Sequence, residues 1–402
     1  MGEGRDMTGA EQDRHEDKAV DQDREAERVT DRADASNALH RLHREQDQSP
    51  WIDFIDRDLI ETGKLQKMVD DGIRGLTSNP TIFAKAVATG QYDELIRREI
   101  EAGDDASQIY EEIAVTDVGD AADVLRPVYE ASNGTDGFAS IEVEPNLADD
   151  SGATLARARE LWARLDRPNI FIKIPATEAG IPAIEGAIGA GINVNVTLMF
   201  SVQVYERVAR AYIAGLHALH QRGADLSRVA SVASFFVSRV DTKIDKQLNE
   251  LGTRGALEAR GKAAIANAKL AYESYQRIFG GDEFADLRAA GAQVQRCLWA
   301  STSTKNPDFR DVLYVEELIG PETVDTMPLE TITAFLDHGD VRRMLDRGVS
   351  DAHQALREVE AQGISMNQVT DELIAEGVAS FSKSFDELIS SIESKREELA
   401  PA

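Results

Sequence analysis

Asn169-Ile170-Phe171-Ile172-Lys173-Ile174-Pro175-Ala176-Thr177 sets a lysine in the middle of a short apolar run that otherwise reads as a fully buried strand. An ammonium among isoleucine and phenylalanine loses hydration, so its pKa is expected to fall toward neutrality, and a neutral amine attacks a carbonyl carbon to form an imine. The other reading of Lys173 is a paired lysine, held by a carboxylate or reaching out from a strand end.

The same rhythm recurs on both sides of this run. Trp51-Ile52-Asp53-Phe54-Ile55, Ile73-Arg74-Gly75-Leu76-Thr77 and residues 138–143, 170–174, 192–198, 229–237, 293–299 and 312–315 are short apolar or alternating segments. Longer amphipathic stretches, such as residues 58–70, 153–165, 202–220 and 257–279, separate them. Eight strands mostly alternating with helices match the length and period of an α/β protein of the (β/α)8 TIM barrel type. A doubly wound open sheet is the alternative, but no Gly-rich phosphate loop follows any of the strands. After Pro328 the pattern turns helical, over residues 330–336, 341–345, 350–362 and 367–396, and these helices are expected to pack around the outside of the barrel.

Residues 1–48 alternate Asp, Glu, Arg, Gln and Ala and carry almost no large apolar side chain before Leu39 and Leu42. Such a segment buries too little surface to offset its ordering entropy, so it is expected to be a disordered acidic tail, with a marginal charged helix over 25–44 as the alternative. Residues 49–402 are then one domain, the barrel with its extra C-terminal helices.

The chain of 402 residues is 42% apolar, enough for a sizeable core, and its formal net charge of −28 opposes binding to nucleic acid or an anionic membrane. A small phosphate ester remains a suitable ligand where Arg and Lys cluster locally. The single cysteine, Cys297, excludes an internal disulfide and suits a reducing compartment; with no histidine nearby in sequence it reads as a buried structural thiol. The N-terminus lacks the apolar core of a signal peptide and no run reaches membrane-span length, so a cytoplasmic location is expected. His217 and His220 share a helix face, but nothing beside them completes a ligand set, and no metal site is expected.

In a barrel, polar residues at successive strand ends converge on one mouth. Here they are Asp53, Asn79, Glu142, Lys173, Asn195, Thr197, Ser234 and Ser301. An amine, two carboxylates and several neutral hydrogen-bonding groups form a coherent set for imine chemistry. Each also has a plainer reading: Asp53 as a strand-end cap, Asn79 as a turn residue before Pro80, Glu142 as part of a solvated edge, Asn195 and Thr197 as satisfied core groups.

Gly75-Leu76-Thr77-Ser78-Asn79-Pro80-Thr81-Ile82-Phe83 resembles the N-terminal signature of transaldolases, and residues 170–180 resemble their active-site lysine signature. The likeness runs on through residues 192–201, 234–239 and 299–307, covers residue 50 to about residue 400, and points to the longer-chain bacterial subgroup. The resemblance implies that Lys173 is the Schiff-base lysine, that Glu142 works through a catalytic water held by Thr197, and that Asp53 takes and returns the proton of a sugar hydroxyl. It places Asn79 and Asn195 on substrate hydroxyls and the imine, and Ser234 and Arg239 near the sugar phosphate. Phe236 falls where transaldolases carry phenylalanine and related aldolases more often tyrosine. One departure stands out: the segment after the seventh strand, Ser301-Thr302-Ser303-Thr304-Lys305, lacks the second phosphate-binding arginine of many members. Lys305 as a point charge, with Ser301 or Ser303 donating hydrogen bonds, is its expected replacement.

The implied activity is transfer of a dihydroxyacetone unit between sugar phosphates by a monomer or homodimer, without metal or organic cofactor. The alternatives are a lysine-dependent aldolase releasing free dihydroxyacetone and a catalytically silent barrel that binds sugar phosphates.

Overall fold

In the computed structural model, which describes residues 37–400, eight parallel strands close into a barrel in the order β1 to β8. They are β1 (Gln48–Ile52), β2 (Gly75–Leu76), β3 (Phe138–Glu142), β4 (Ile170–Pro175), β5 (Val194–Met199), β6 (Ser231–Phe236), β7 (Gln295–Ala300) and β8 (Thr323–Met327). Closure by pairing of β1 with β8 rules out the open sheet. Side chains along a strand alternate between the lumen and the surrounding helices, so register decides what enters the lumen. Glu142 of β3 stands opposite Lys173 of β4, which stands opposite Asn195 of β5.

The lower end of the lumen is plugged. Trp51 packs on Phe138 and Phe171, whose rings stack with centroids 4.2 Å apart. Gly75 is required beside them, because a Cβ there would lie 2.4 Å from the Trp51 ring. Asp136 is buried below this layer and accepts hydrogen bonds from Trp51 Nε1 (2.9 Å), Arg74 Nε (2.7 Å) and the Ser49 hydroxyl. Arg296 adds a second cation, with Nη2 at 3.7 Å.

Three sequence expectations need correction. Residues 312–315 do not form the eighth strand: Leu313–Glu317 is a short helix, and β8 is Thr323–Met327. An apolar run of four does not distinguish helix from strand, while β8 hides its identity because it is rich in polar residues that find partners far away in sequence. Gln48 Nε2 donates to Thr323 Oγ1 (2.9 Å), Thr302 Oγ1 to Asp325 Oδ1 (2.9 Å), and the Thr77 and Thr326 hydroxyls lie 2.9 Å apart.

The tail expectation fails over residues 37–48. Ala38–Gln46 is a helix whose N-cap, Asn37, accepts from the Leu39 amide, and Gln48 already belongs to β1. A nine-residue helix is marginal alone, but Leu39 and Leu42 are buried against the barrel, and that packing holds it. The expectation for residues 1–36 lies outside the described residues.

The third correction concerns the end of the chain. Residues 341–345 are not helical, and the helix Met366–Leu399 does not lie outside the barrel but crosses its mouth. Its apolar stripe includes Leu373, Gly377, Phe381, Phe385 and Leu388 at helical spacing. Gly377 gives the close approach: a Cβ there would meet Leu198 Cδ2 of β5 at 3.0 Å. Among the described residues no helix is long and apolar enough to cross a membrane.

Candidate active site

The carboxyl ends of the strands open on a cavity of about 350 Å³ beneath Met366–Leu399. Asp53 enters just after β1, Thr77 after β2, Lys173 from β4, Thr197 from β5, Ser234 and Phe236 from β6, and Thr326 from β8. Arg239 stands in the first turn of the helix Ser238–Leu251, and Ser301, Ser303 and Lys305 follow β7. Asn79 also lines the cavity while its side chain caps the helix Pro80–Ala88 by accepting from Ile82 N (3.3 Å), so the turn reading and the site reading of this residue both hold.

Lys173 is 6% exposed, and its Nζ donates to the Ser78 carbonyl (2.9 Å) and to Glu142 Oε2 (3.1 Å). The paired-lysine reading is therefore realised in the resting site, without removing the amine from the cavity wall. Glu142 does not itself border the cavity and meets it through Lys173. Burial raises the Glu142 pKa, opposed by the Lys173 charge. Asp53 is likewise raised by burial, against the Lys173 charge and hydrogen bonds from Thr77 and Asn79; Thr77 Oγ1 donates to Asp53 Oδ1 at 2.8 Å. Two carboxyl groups with raised affinity for protons thus stand near one amine, a disposition suited to moving protons.

Asn195 also lies behind the wall. Its Oδ1 accepts from Ser234 Oγ (2.6 Å) and its Nδ2 donates to Ser140 Oγ (3.2 Å), so its amide is occupied in this state. β5 carries an irregularity between Val196 and Met199, where Leu198 adopts a left-handed backbone (φ 56°) directly after Thr197. Ser301 is left-handed too (φ 58°), at the end of β7, and its hydroxyl lies 2.9 Å from that of Ser238. Strained residues of this kind persist only where the surroundings over-determine them, and functional sites are where they cluster.

On the β6–β7 side, across the barrel from β3, the wall is cationic. Arg239 stacks over Phe236 with Cζ 5.2 Å from the ring centroid, and Lys305 Nζ donates to Ser303 Oγ (2.6 Å). Among the described residues no carboxylate forms an ion pair with either of them. In a chain of net charge −28 these two cations are conspicuous, and they give the cavity an end suited to an anion.

Sequence reading missed the roof. Ser380, Phe381 and Ser384 border the cavity, Thr81 Oγ1 donates to Ser384 Oγ (3.0 Å), and the Phe381 ring centroid lies 5.8 Å from Lys173 Nζ. The apolar stripe of the last helix announces a buried face, but a stripe does not name the surface it will cover. Cys297 is buried on β7, away from this cavity, and burial pushes its thiol up to about 12, which makes it an inert core group.

A parallel barrel that buries an amine near two carboxyl groups at its strand ends has the equipment for carbon–carbon bond chemistry through an imine. The chain belongs to the transaldolase/fructose-6-phosphate aldolase family, whose model matches residues 50–392. It is 48% identical over 371 residues to transaldolase 2 of a Nostoc species, an alignment covering 89% of this chain and 97% of that protein. It is 49% identical over 367 residues to transaldolase 1 of Streptomyces coelicolor (90% and 96% covered), and 49% identical over 345 residues to a transaldolase of Mycolicibacterium paratuberculosis (85% and 92%).

Proposed function

We propose that this chain is a transaldolase, a transferase of the pentose phosphate pathway that moves a dihydroxyacetone unit from a ketose phosphate to an aldose phosphate through an imine on Lys173. The donor is sedoheptulose 7-phosphate or fructose 6-phosphate, and the acceptor glyceraldehyde 3-phosphate or erythrose 4-phosphate. The observation that carries the reading is the 3.1 Å pair of Lys173 and Glu142 at the wall of a cavity that also holds Asp53.

Transfer of the ammonium proton to Glu142, whose affinity for it is raised by burial, frees the Lys173 electron pair to attack the ketone carbon. The carbinolamine loses its hydroxyl as water, with Glu142 returning the proton through a water held at Thr197, and the iminium is left. Asp53 removes the proton of the hydroxyl beside the scissile bond. The oxygen lone pair becomes the aldehyde carbonyl, the carbon–carbon bond breaks, and its electrons pass into the iminium to give an enamine. The aldose phosphate leaves; the enamine carbon attacks the second aldehyde, the new alkoxide takes the proton back from Asp53, and water releases the product. Asn79 and Asn195 hold substrate hydroxyls and the imine, Asn195 exchanging its Ser234 partner for substrate. Arg239, Ser234, Ser301, Ser303 and Lys305 face the phosphate. The chemistry requires neither metal nor organic cofactor.

Borohydride reduction in the presence of fructose 6-phosphate is expected to fix a three-carbon adduct on Lys173, readable by peptide mass spectrometry. Labelling that persists in Lys173→Ala, or full activity of that variant, overturns the reading. A simple aldolase would release dihydroxyacetone without any acceptor. Phe236 speaks against it, since its ring offers no hydroxyl to the cavity where related aldolases more often have one.

A further inference from the structure

The segment after β7 alternates its side chains between two surroundings. Ser301, Ser303 and Lys305 line the cavity, whereas Thr302 is fully buried and turns away from it. Thr302 Oγ1 donates to Asp325 Oδ1 at 2.9 Å, with the Thr326 carbonyl at 3.5 Å. Asp325 stands on β8, paired in register with Trp299 of β7. Its neighbour Thr326 faces the cavity, so by strand alternation Asp325 faces outward, between barrel and helices.

Asp325 is 0% exposed, and among the described residues no cation pairs with it. Its Oδ2 has no hydrogen-bond partner among the described residues, and burial pushes the carboxyl up to about 7 against the Thr302 hydrogen bond. A lone carboxyl in a dry layer is costly, and no proton transfer in the proposed mechanism uses it. What it does contact is the side chain of Thr302, which anchors the backbone between Ser303 and the left-handed Ser301; the Ser301 carbonyl is itself held by the Ser238 amide at 3.0 Å. The far end of the segment is tied as well, by Thr304 Oγ1 to the carbonyls of Arg310 and Asp311 (3.0 and 3.1 Å).

We propose that Asp325 is a positioning residue for anion recognition: through Thr302 it holds Ser301, Ser303 and Lys305 against the phosphate of the substrate. The proposal rests on the reading of the β6–β7 side as the phosphate end. A lysine is a flexible point charge with none of the fork geometry of arginine, so holding its backbone matters more than it would for arginine. The acceptor oxygen that Thr302 needs is present in aspartate and in asparagine, and absent from alanine.

The test uses the full chain, with inorganic phosphate as competitive probe beside fructose 6-phosphate, and with unphosphorylated dihydroxyacetone as a donor that lacks the anion. Thr302→Val, which keeps shape and deletes the hydroxyl, is expected to raise both KM for fructose 6-phosphate and Ki for phosphate about tenfold, the scale of one lost hydrogen bond to a partly charged group. Its kcat, and its KM for dihydroxyacetone, should stay within about twofold of the parent. Asp325→Ala should match Thr302→Val, and Asp325→Asn should restore both constants. If Asp325→Ala is too unstable to assay, Thr302→Val and Asp325→Asn still decide. Unchanged phosphate Ki in Thr302→Val, or an equal rise in KM for dihydroxyacetone, overturns the proposal. Lys305→Met separates the two claims: if it leaves phosphate Ki unchanged the phosphate end itself is misassigned, whereas a raised Ki there with none in Thr302→Val condemns only the role of Asp325.

Discussion

The carboxylate of Glu142 and the amine of Lys173 occupy register-matched positions on adjacent strands, with Oε2 and Nζ 3.1 Å apart. In the proposed mechanism a proton passes between them, and among the described residues neither forms a second ion pair. Glu142→Gln keeps the volume and one acceptor but removes the base. We expect kcat to fall about 10²–10⁴-fold, the usual worth of a positioned acid–base group, and borohydride trapping of Lys173 to slow in parallel. Trapping at the parental rate would move the proton work elsewhere.

In the proposed mechanism Asp53 acts after the imine has formed. Asp53→Asn should still be labelled by borohydride with fructose 6-phosphate, while carbon–carbon cleavage drops by about 10²–10⁴-fold. Burial raises the Asp53 pKa, and the mechanism needs its charged form, so activity is lost as pH falls through that raised value, above the ordinary aspartate value near 4. Thr77→Val removes a hydrogen bond that favours the charged form and should shift this acid limb further upward. A downward shift in a kcat–pH profile would contradict the assignment.

At the other end of the barrel Asp136 works for stability alone. Burial raises its pKa, but Arg296, Arg74 and the Ser49 hydroxyl outweigh burial and hold it below the usual aspartate value. Its contribution is therefore fully present above the unfolded-state value, near 4, and is lost as pH falls through the lower folded value. Asp136→Asn should cost about 3–5 kcal/mol near neutral pH, by leaving two arginines short of their partner. The difference should shrink below about pH 4. Urea unfolding across that range measures it, with kcat per folded molecule unchanged.

In the proposed mechanism Phe381, at the cavity roof near Lys173, would shield the enamine from water. Phe381→Ala opens the roof above Lys173, and protonation of the enamine by water then competes with acceptor attack. The expected result is a several-fold rise in free dihydroxyacetone per turnover, quantified by coupled assay. Gly377→Val, which pushes the helix off Leu198, should have the same effect and destabilise the fold by about 1–3 kcal/mol.

Much of the fold was legible because buried parallel strands are short apolar runs, and β3 to β7 obey that pattern. β1 was expected at residues 51–55 but runs from Gln48 to Ile52, because Gln48 is a polar residue buried through its hydrogen bonds to the Leu318 carbonyl and Thr323 Oγ1. β8 escaped because Thr323, Asp325 and Thr326 are polar residues whose partners sit on β1 or just beyond the ends of β2 and β7, a fact with no local trace. The helix Ala38–Gln46 escaped for a related reason: two leucines suffice when a barrel is there to receive them. In the site, eight strand-end residues were readable from position, and six of them line the cavity while Glu142 and Asn195 stand one layer behind it; Phe236, Arg239, Ser303 and Lys305, which also line it, were expected only through the family resemblance. The roof residues were not readable, since a helix that begins almost two hundred residues beyond Lys173 carries no local sign of where it docks.

The helix that covers the mouth follows the whole barrel in chain order. During synthesis the eight strands therefore leave the ribosome before Ser380, Phe381 and Ser384 do, and in the proposed mechanism Lys173 has no roof until those residues arrive. Competence for transfer arrives late, with the docking of one helix. A nascent or clipped chain that lacks it is a barrel whose imine water can reach, and it would spill its three-carbon cargo.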